Sequence, residues 1–147
     1  MKNLSKNIQI AQVLGYFAAG TTKRTSSILD MAGYDGVLFI VGLGTLIEAG
    51  TLDAYVEQHT LNQTSGMARL AGQTLHTVTA ADALLTQSAI VVDVYRPVER
   101  YVQCNITPAT QNAVILGIVA IRYNSRVKPT SNSALLKSTV LNSPAEA

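Results

Sequence analysis

SILDMAGYDGVLFIVGLGTLIEAGTLDAYV spans residues 26–55, and the reading of its centre decides what this chain can be. From Gly36 to Ile47 run twelve residues without a charge, and Gly42 and Gly44 stand as G-L-G. Such a run is a membrane segment, a phosphate-cradling loop or a buried strand. A membrane helix needs about 20 apolar residues, and Asp35 and Glu48 close this run too early. A dinucleotide loop needs G-x-G-x-x-G between a strand and a helix. Here Thr45, Leu46 and Ile47 follow Gly44, no helix pattern comes next, and no lysine stands nearby. What remains is a strand buried on both faces, whose glycines mark a bulge or close packing against another sheet.

The neighbouring residues support that reading. Thr51 to His59 alternates, with Leu52, Ala54 and Val56 facing one way and Asp53, Tyr55, Glu57 and His59 the other. That is the period-2 pattern of a half-buried strand. Ala89 to Tyr95 alternates too, and Ala113 to Tyr123 is the last strong strand pattern. Ile8–Ala18, Ser26–Asp30, Thr74–Thr79 and Arg100–Ile106 are further candidates. The long uncharged run from Tyr101 to Ile121 contains Pro108, Gln111 and Asn112, so it folds back as a hairpin rather than crossing a membrane. AADALLTQ is one helical turn or a loop, and no long segment has helical periodicity.

Short strands at regular spacing predict an all-β fold. The expectation is an antiparallel β-sandwich, jelly-roll-like, of about eight strands with extended N- and C-terminal arms. Residues 1–25 are expected as an arm and first strand, 26–125 as the core, and 126–147 as a tail. Val37–Val41 and Val114–Ile121 are placed in the core, Val119 among them.

A chain of 147 residues is the size of one domain. Its charged share, 14%, is well below the roughly 25% usual for soluble domains, which points to surface hidden against partners. The charges are also segregated. Residues before Asp30 carry +4, residues 30–119 carry −5 and the remainder +3. Two basic ends flanking an acidic middle suit arms that lie on an acidic neighbour. The acidic middle weighs against nucleic acid. MKNLSKNIQI lacks a continuous apolar run, so no secretory leader is expected.

Chemistry is sparse. His59 and His76 have no metal-site spacing, Cys104 has no nucleophile context, and no G-x-S-x-G occurs. No catalytic residue, metal site or cofactor is therefore expected, and the chain is read as a non-enzyme. Asp93 is expected to pair with Arg96 or Arg100. The densest polar cluster is VDVYRPVERYV, residues 92–102, where Pro97 bends the chain between two strands. Arg and Tyr together supply large contact area plus directed hydrogen bonds, so Arg96, Arg100 and Tyr101 are candidate interface residues. The alternative is an ion-pair network within the subunit. In the Ser- and Asn-rich tail, Leu135, Leu136, Val140 and Leu141 are the candidate anchors on a neighbour. Such a tail has no core of its own and is expected to be dispensable for folding.

LDMAGYDGVLFIVGLGTL, LAG, VVDVYRPVERYV, NAVILGIVAIRY and Lys128–Pro129 together resemble small virion structural proteins of tailed bacteriophages, of the head decoration (cement) type. The resemblance covers roughly residues 28–129. It implies a β-sandwich on the outer capsid lattice, bound to the major capsid protein or another virion protein. It also implies a homo-oligomer, with a trimer as the guess, made in the host cytoplasm and located on the phage head surface. Neither nucleic acid nor membrane is an expected partner. The rival readings are a neck, tail or spike-base component, a carbohydrate-binding sandwich and, least favoured, an enzyme.

Overall fold

The computed structural model describes residues 3–72 and 75–140. Lys2 and Leu141 therefore lie outside the described residues. The fold is an antiparallel β-sandwich of two sheets. Eleven strands are present among the described residues, several of them only two or three residues long, against the eight expected.

The first sheet is built on β5 (Gly36–Leu43) and β11 (Ala113–Tyr123), which pair along most of their length. β9 (Ser88–Tyr95) adds to the other side of β5, and β1 (Gln9–Leu14) and β2 (Phe17–Gly20) share the far side of β11. The second sheet is built on β6 (Thr51–His59) and β10 (Tyr101–Ala109), paired along all nine residues of each. β3 (Arg24–Thr25) and β4 (Leu29–Asp30) flank β10, and β7 (Ala68–Arg69) and β8 (Leu75–Thr77) flank β6. The chain changes sheet after β2, β4, β5, β8, β9 and β10, so each of these connections crosses between the two layers. One helical turn, α1 (Ala80–Ala83), carries a capping box in which Thr79 and Asp82 satisfy each other's backbone N–H.

The alternating residues meet between the sheets. Val37, Phe39 and Val41 face Leu52, Ala54 and Val56 across a core completed by Val102, Cys104, Ile106, Ile115 and Ile118. Excluding this apolar surface from water is the main stabilising term. Residues 9–25, expected to hold the first strand after an arm, supply β1 and β2 to one sheet and β3 to the other. The tail also docks. Thr130 is buried, its N–H donates to the Lys6 carbonyl at 2.9 Å and its Oγ1 to the Ile8 carbonyl at 2.6 Å. Asn132 Oδ1 accepts from the Ile10 N–H at 2.8 Å. The tail's first residues thus serve as the missing neighbour of the β1 edge.

Two local expectations change. β5 is buried on its core face only, while Leu38 and Ile40 on its other face are half-buried. Val119 pairs with Ile40 and shares that outer face, so the core positions of β11 are Ala113, Ile115, Ile118 and Ala120. A bulge does occur, but in β11, where the register slips between Ile115 and Gly117 opposite Gly42. The approach to the β5 glycines comes from β11 itself. A Cβ on Gly36 would lie 2.2 Å from the Tyr123 ring, and one on Gly44 would lie 2.9 Å from Val114.

Candidate functional site

The Arg/Tyr cluster lies where the chain leaves β9 for β10 and changes sheet. Arg96 takes a left-handed φ of 51°, and its N–H donates to the Asp35 carbonyl at 2.7 Å. Pro97 continues the bend, and Val98 projects into solvent at 86% exposure. Glu99 is fixed by Gln58, which accepts from its N–H, and by the Thr60 hydroxyl, which donates to its carboxylate at 2.8 Å. The loop Met31–Asp35 stands opposite, turned tightly at Gly33 with φ 85°. Arg126, just after β11, is tied to it by an N–H bond to the Gly33 carbonyl at 2.9 Å. These segments enclose a shallow open cleft of about 550 Å³ bordered by Arg96, Arg100 and Arg126.

The three guanidiniums differ. Arg100 donates from Nε and Nη2 to the two oxygens of Asp30, both at 2.8 Å. That fork, with help from the Ala32 N–H, holds the Asp30 carboxyl down at about 2. Arg96 rests 5.1 Å over the Tyr95 ring. Arg96 and Arg126 form no ion pair among the described residues. Tyr101 is half-buried beneath Arg100, whose guanidinium lies 5.2 Å over its ring. The structure therefore brings Arg96, Arg100 and Tyr101 together at one end of the sandwich. The expected pairing with Asp93 does not form. Asp93 points from the outer face of β9 and accepts from the Tyr123 hydroxyl at 2.6 Å, while Arg100 takes Asp30, brought to it by β4–β10 pairing. In the tail, Leu135 is half-buried, Val140 is exposed, and Leu136 is fully exposed at 109%.

The remaining reactive groups are engaged elsewhere. Cys104 is completely buried, and burial pushes its thiol up to about 12. His59 Nδ1 accepts from the Leu61 N–H at 2.8 Å. His76 meets Asp82 at 2.9 Å, on the turn that α1 caps. Among the described residues no three His, Cys, Asp or Glu side chains form a group able to hold a metal. No described helix is long and apolar enough to cross a membrane.

Two features escaped sequence reasoning. On the outer face of the second sheet, the Arg69 guanidinium lies 4.0 Å over the Tyr55 ring and Lys23 5.4 Å from it. Arg69 also forks onto Asp53 at 2.8 and 2.9 Å. Alternation in β6 placed Asp53, Tyr55 and Glu57 on one face, but nothing local named their partners. The second feature is the largely apolar outer face of the first sheet, on which Leu38, Ile40 and Val119 lie.

No family model and no curated protein matches this sequence. Among solved structures, the fold is similar to a chain in the structure of infectious bursal disease virus, Gt strain, with 9% identity and a TM-score of 0.48 over 79% of this chain. This chain spans only 32% of that one. It is also similar to Eiger TNF from S. frugiperda, with 7% identity, a TM-score of 0.43, and coverage of 91% of this chain and 99% of the other.

Proposed function

We propose that this chain is a non-enzymatic structural protein of a tailed-phage virion, a decoration or cement subunit that bridges major capsid subunits on the head surface. The observation that carries this reading is the corner between β9 and β10. It presents two guanidiniums that form no ion pair among the described residues, Arg96 and Arg126, beside the projecting Val98. Its backbone is braced by the Asp35, Gln58 and Gly33 contacts and by the Asp30–Arg100 fork. Binding to such a corner orders little that is not already ordered, so less affinity is lost to entropy. Carboxylates of a capsid neighbour would receive charge-assisted hydrogen bonds from Arg96 and Arg126, while Val98 enters an apolar notch. The exposed Leu136 and Val140 would give the tail apolar anchors of its own on a neighbour. Repetition over a lattice lets individually modest contacts hold the shell against internal pressure.

The test is co-sedimentation with capsid shells assembled from the major capsid protein of the same phage. Arg96→Glu combined with Val98→Asp should leave the melting temperature within error of the parent. Both side chains are exposed, so the fold does not depend on them. Occupancy should fall by about tenfold or more, as loss of a roughly 1–3 kcal/mol anchor requires. Unchanged occupancy would remove the corner from the interface. A copy number near a dozen per particle would favour a neck ring, since a closed ring needs few subunits.

A further inference from the structure

The outer face of the first sheet is apolar across its middle and carries a polar side chain only at its edges. Strand register sets Ile10, Ile121 and Leu38 in one row, ended by Asp93, and Val119, Ile40 and Val91 in the next, ended by the exposed Gln12. None of the six apolar residues belongs to the core or packs against it. Val91 is 53% exposed, and Leu116 in the following row is 44% exposed. Asp93 is the one charged side chain in these rows, and it is bound to the Tyr123 hydroxyl at the β9 edge. The face is also level. Tyr123 lies over Gly36, Leu116 contacts the Cβ position of Gly42, and Val114 overhangs Gly44, so large side chains of β11 fill each niche along β5.

We propose that this face is the seat of a second copy of this chain, packed sheet to sheet about a two-fold axis. Four strands about 4.8 Å apart and some seven residues long at about 3.3 Å each cover roughly 450 Å² in projection. With side-chain relief that is on the order of 600 Å² of accessible surface per copy, the upper end of what a monomer leaves exposed. Two such faces bury about 1,200 Å², the lower bound of a stable interface. A two-fold axis parallel to the strands lays β9 of one copy over β1 of the other. Asp93 and Gln12, on the two edge strands, then fall at the rim of the interface, and no like charges oppose each other. An apolar face almost without charge suits a copy of itself better than a polar partner. The proposal is independent of the corner described above, which lies at the end of the sandwich.

Sedimentation velocity of the full chain from low to high micromolar concentration tests it. The parent should sediment as a dimer. Ile40→Lys and Val91→Lys should each be monomeric with unchanged circular dichroism. Thr107→Lys, on the outer face of the second sheet, should remain dimeric. A parent that stays monomeric throughout, a closed trimer, or a dimer indifferent to both lysines would overturn the proposal.

Discussion

Gly117→Ala tests the packing of the first sheet at its tightest point. Gly117 sits in the β11 bulge with φ +142°, where an added Cβ would lie 2.6 Å from Gln12 Nε2 and 2.7 Å from the Leu14 carbonyl oxygen. An L-residue in that backbone region is strained by about 1–3 kcal/mol. The Gln12 amide can swing away, but only by giving up its 2.6 Å hydrogen bond to Leu14, a loss of about 1 kcal/mol. The Leu14 carbonyl is backbone and moves only with β1. Together these terms predict a destabilisation of about 3–4 kcal/mol, near the top of the range for single substitutions. The expected fall in melting temperature is roughly 10–15 °C. Urea denaturation followed by circular dichroism measures it, with Gly42→Ala as the control. At Gly42 the φ is ordinary and the closest contact is 3.4 Å, so that change should stay within about 1 kcal/mol. A Gly117→Ala variant as stable as the control would refute the close approach of β1 to the bulge.

Truncation after Val127 removes the Thr130 and Asn132 bonds that cover the β1 edge. It should lower stability by about 2–4 kcal/mol in thermal melts, at a net of roughly 0.5–1.5 kcal/mol per bond; an unchanged melt would return the tail to a dispensable role. Native protein should not react with a thiol reagent at neutral pH, because Cys104 is buried and its thiolate disfavoured; one equivalent should label once urea unfolds the chain. Asp30 has a folded-state pKa below its unfolded one, so its contribution is present above the ordinary carboxylate range and is lost as pH falls toward about 2. The pair is more than a third exposed, so the effect is small and screened by salt. Asp30→Asn should flatten that part of the acid stability profile, and an identical profile in the two proteins would count against the fork.

Local pattern carried much of the fold. Strict alternation in Thr51–His59 fixed both the bounds and the faces of β6, because a strand's side chains must alternate. Ala113–Tyr123 was equally legible as a strand. In Gly36–Leu43, by contrast, both parities are apolar, so periodicity could not separate a doubly buried strand from one with a core face and an uncovered face. The corner's composition named Arg96, Arg100 and Tyr101, since Pro97 and two flanking strands put them on one bend. Tertiary structure decided their partners. Arg100 meets Asp30 across 70 residues of sequence, and Tyr123 covers Gly36 and reaches Asp93 across β5. Such contacts depend on which strands pair and in what register. That choice minimises the free energy of the whole sandwich, and no window of neighbouring residues contains it.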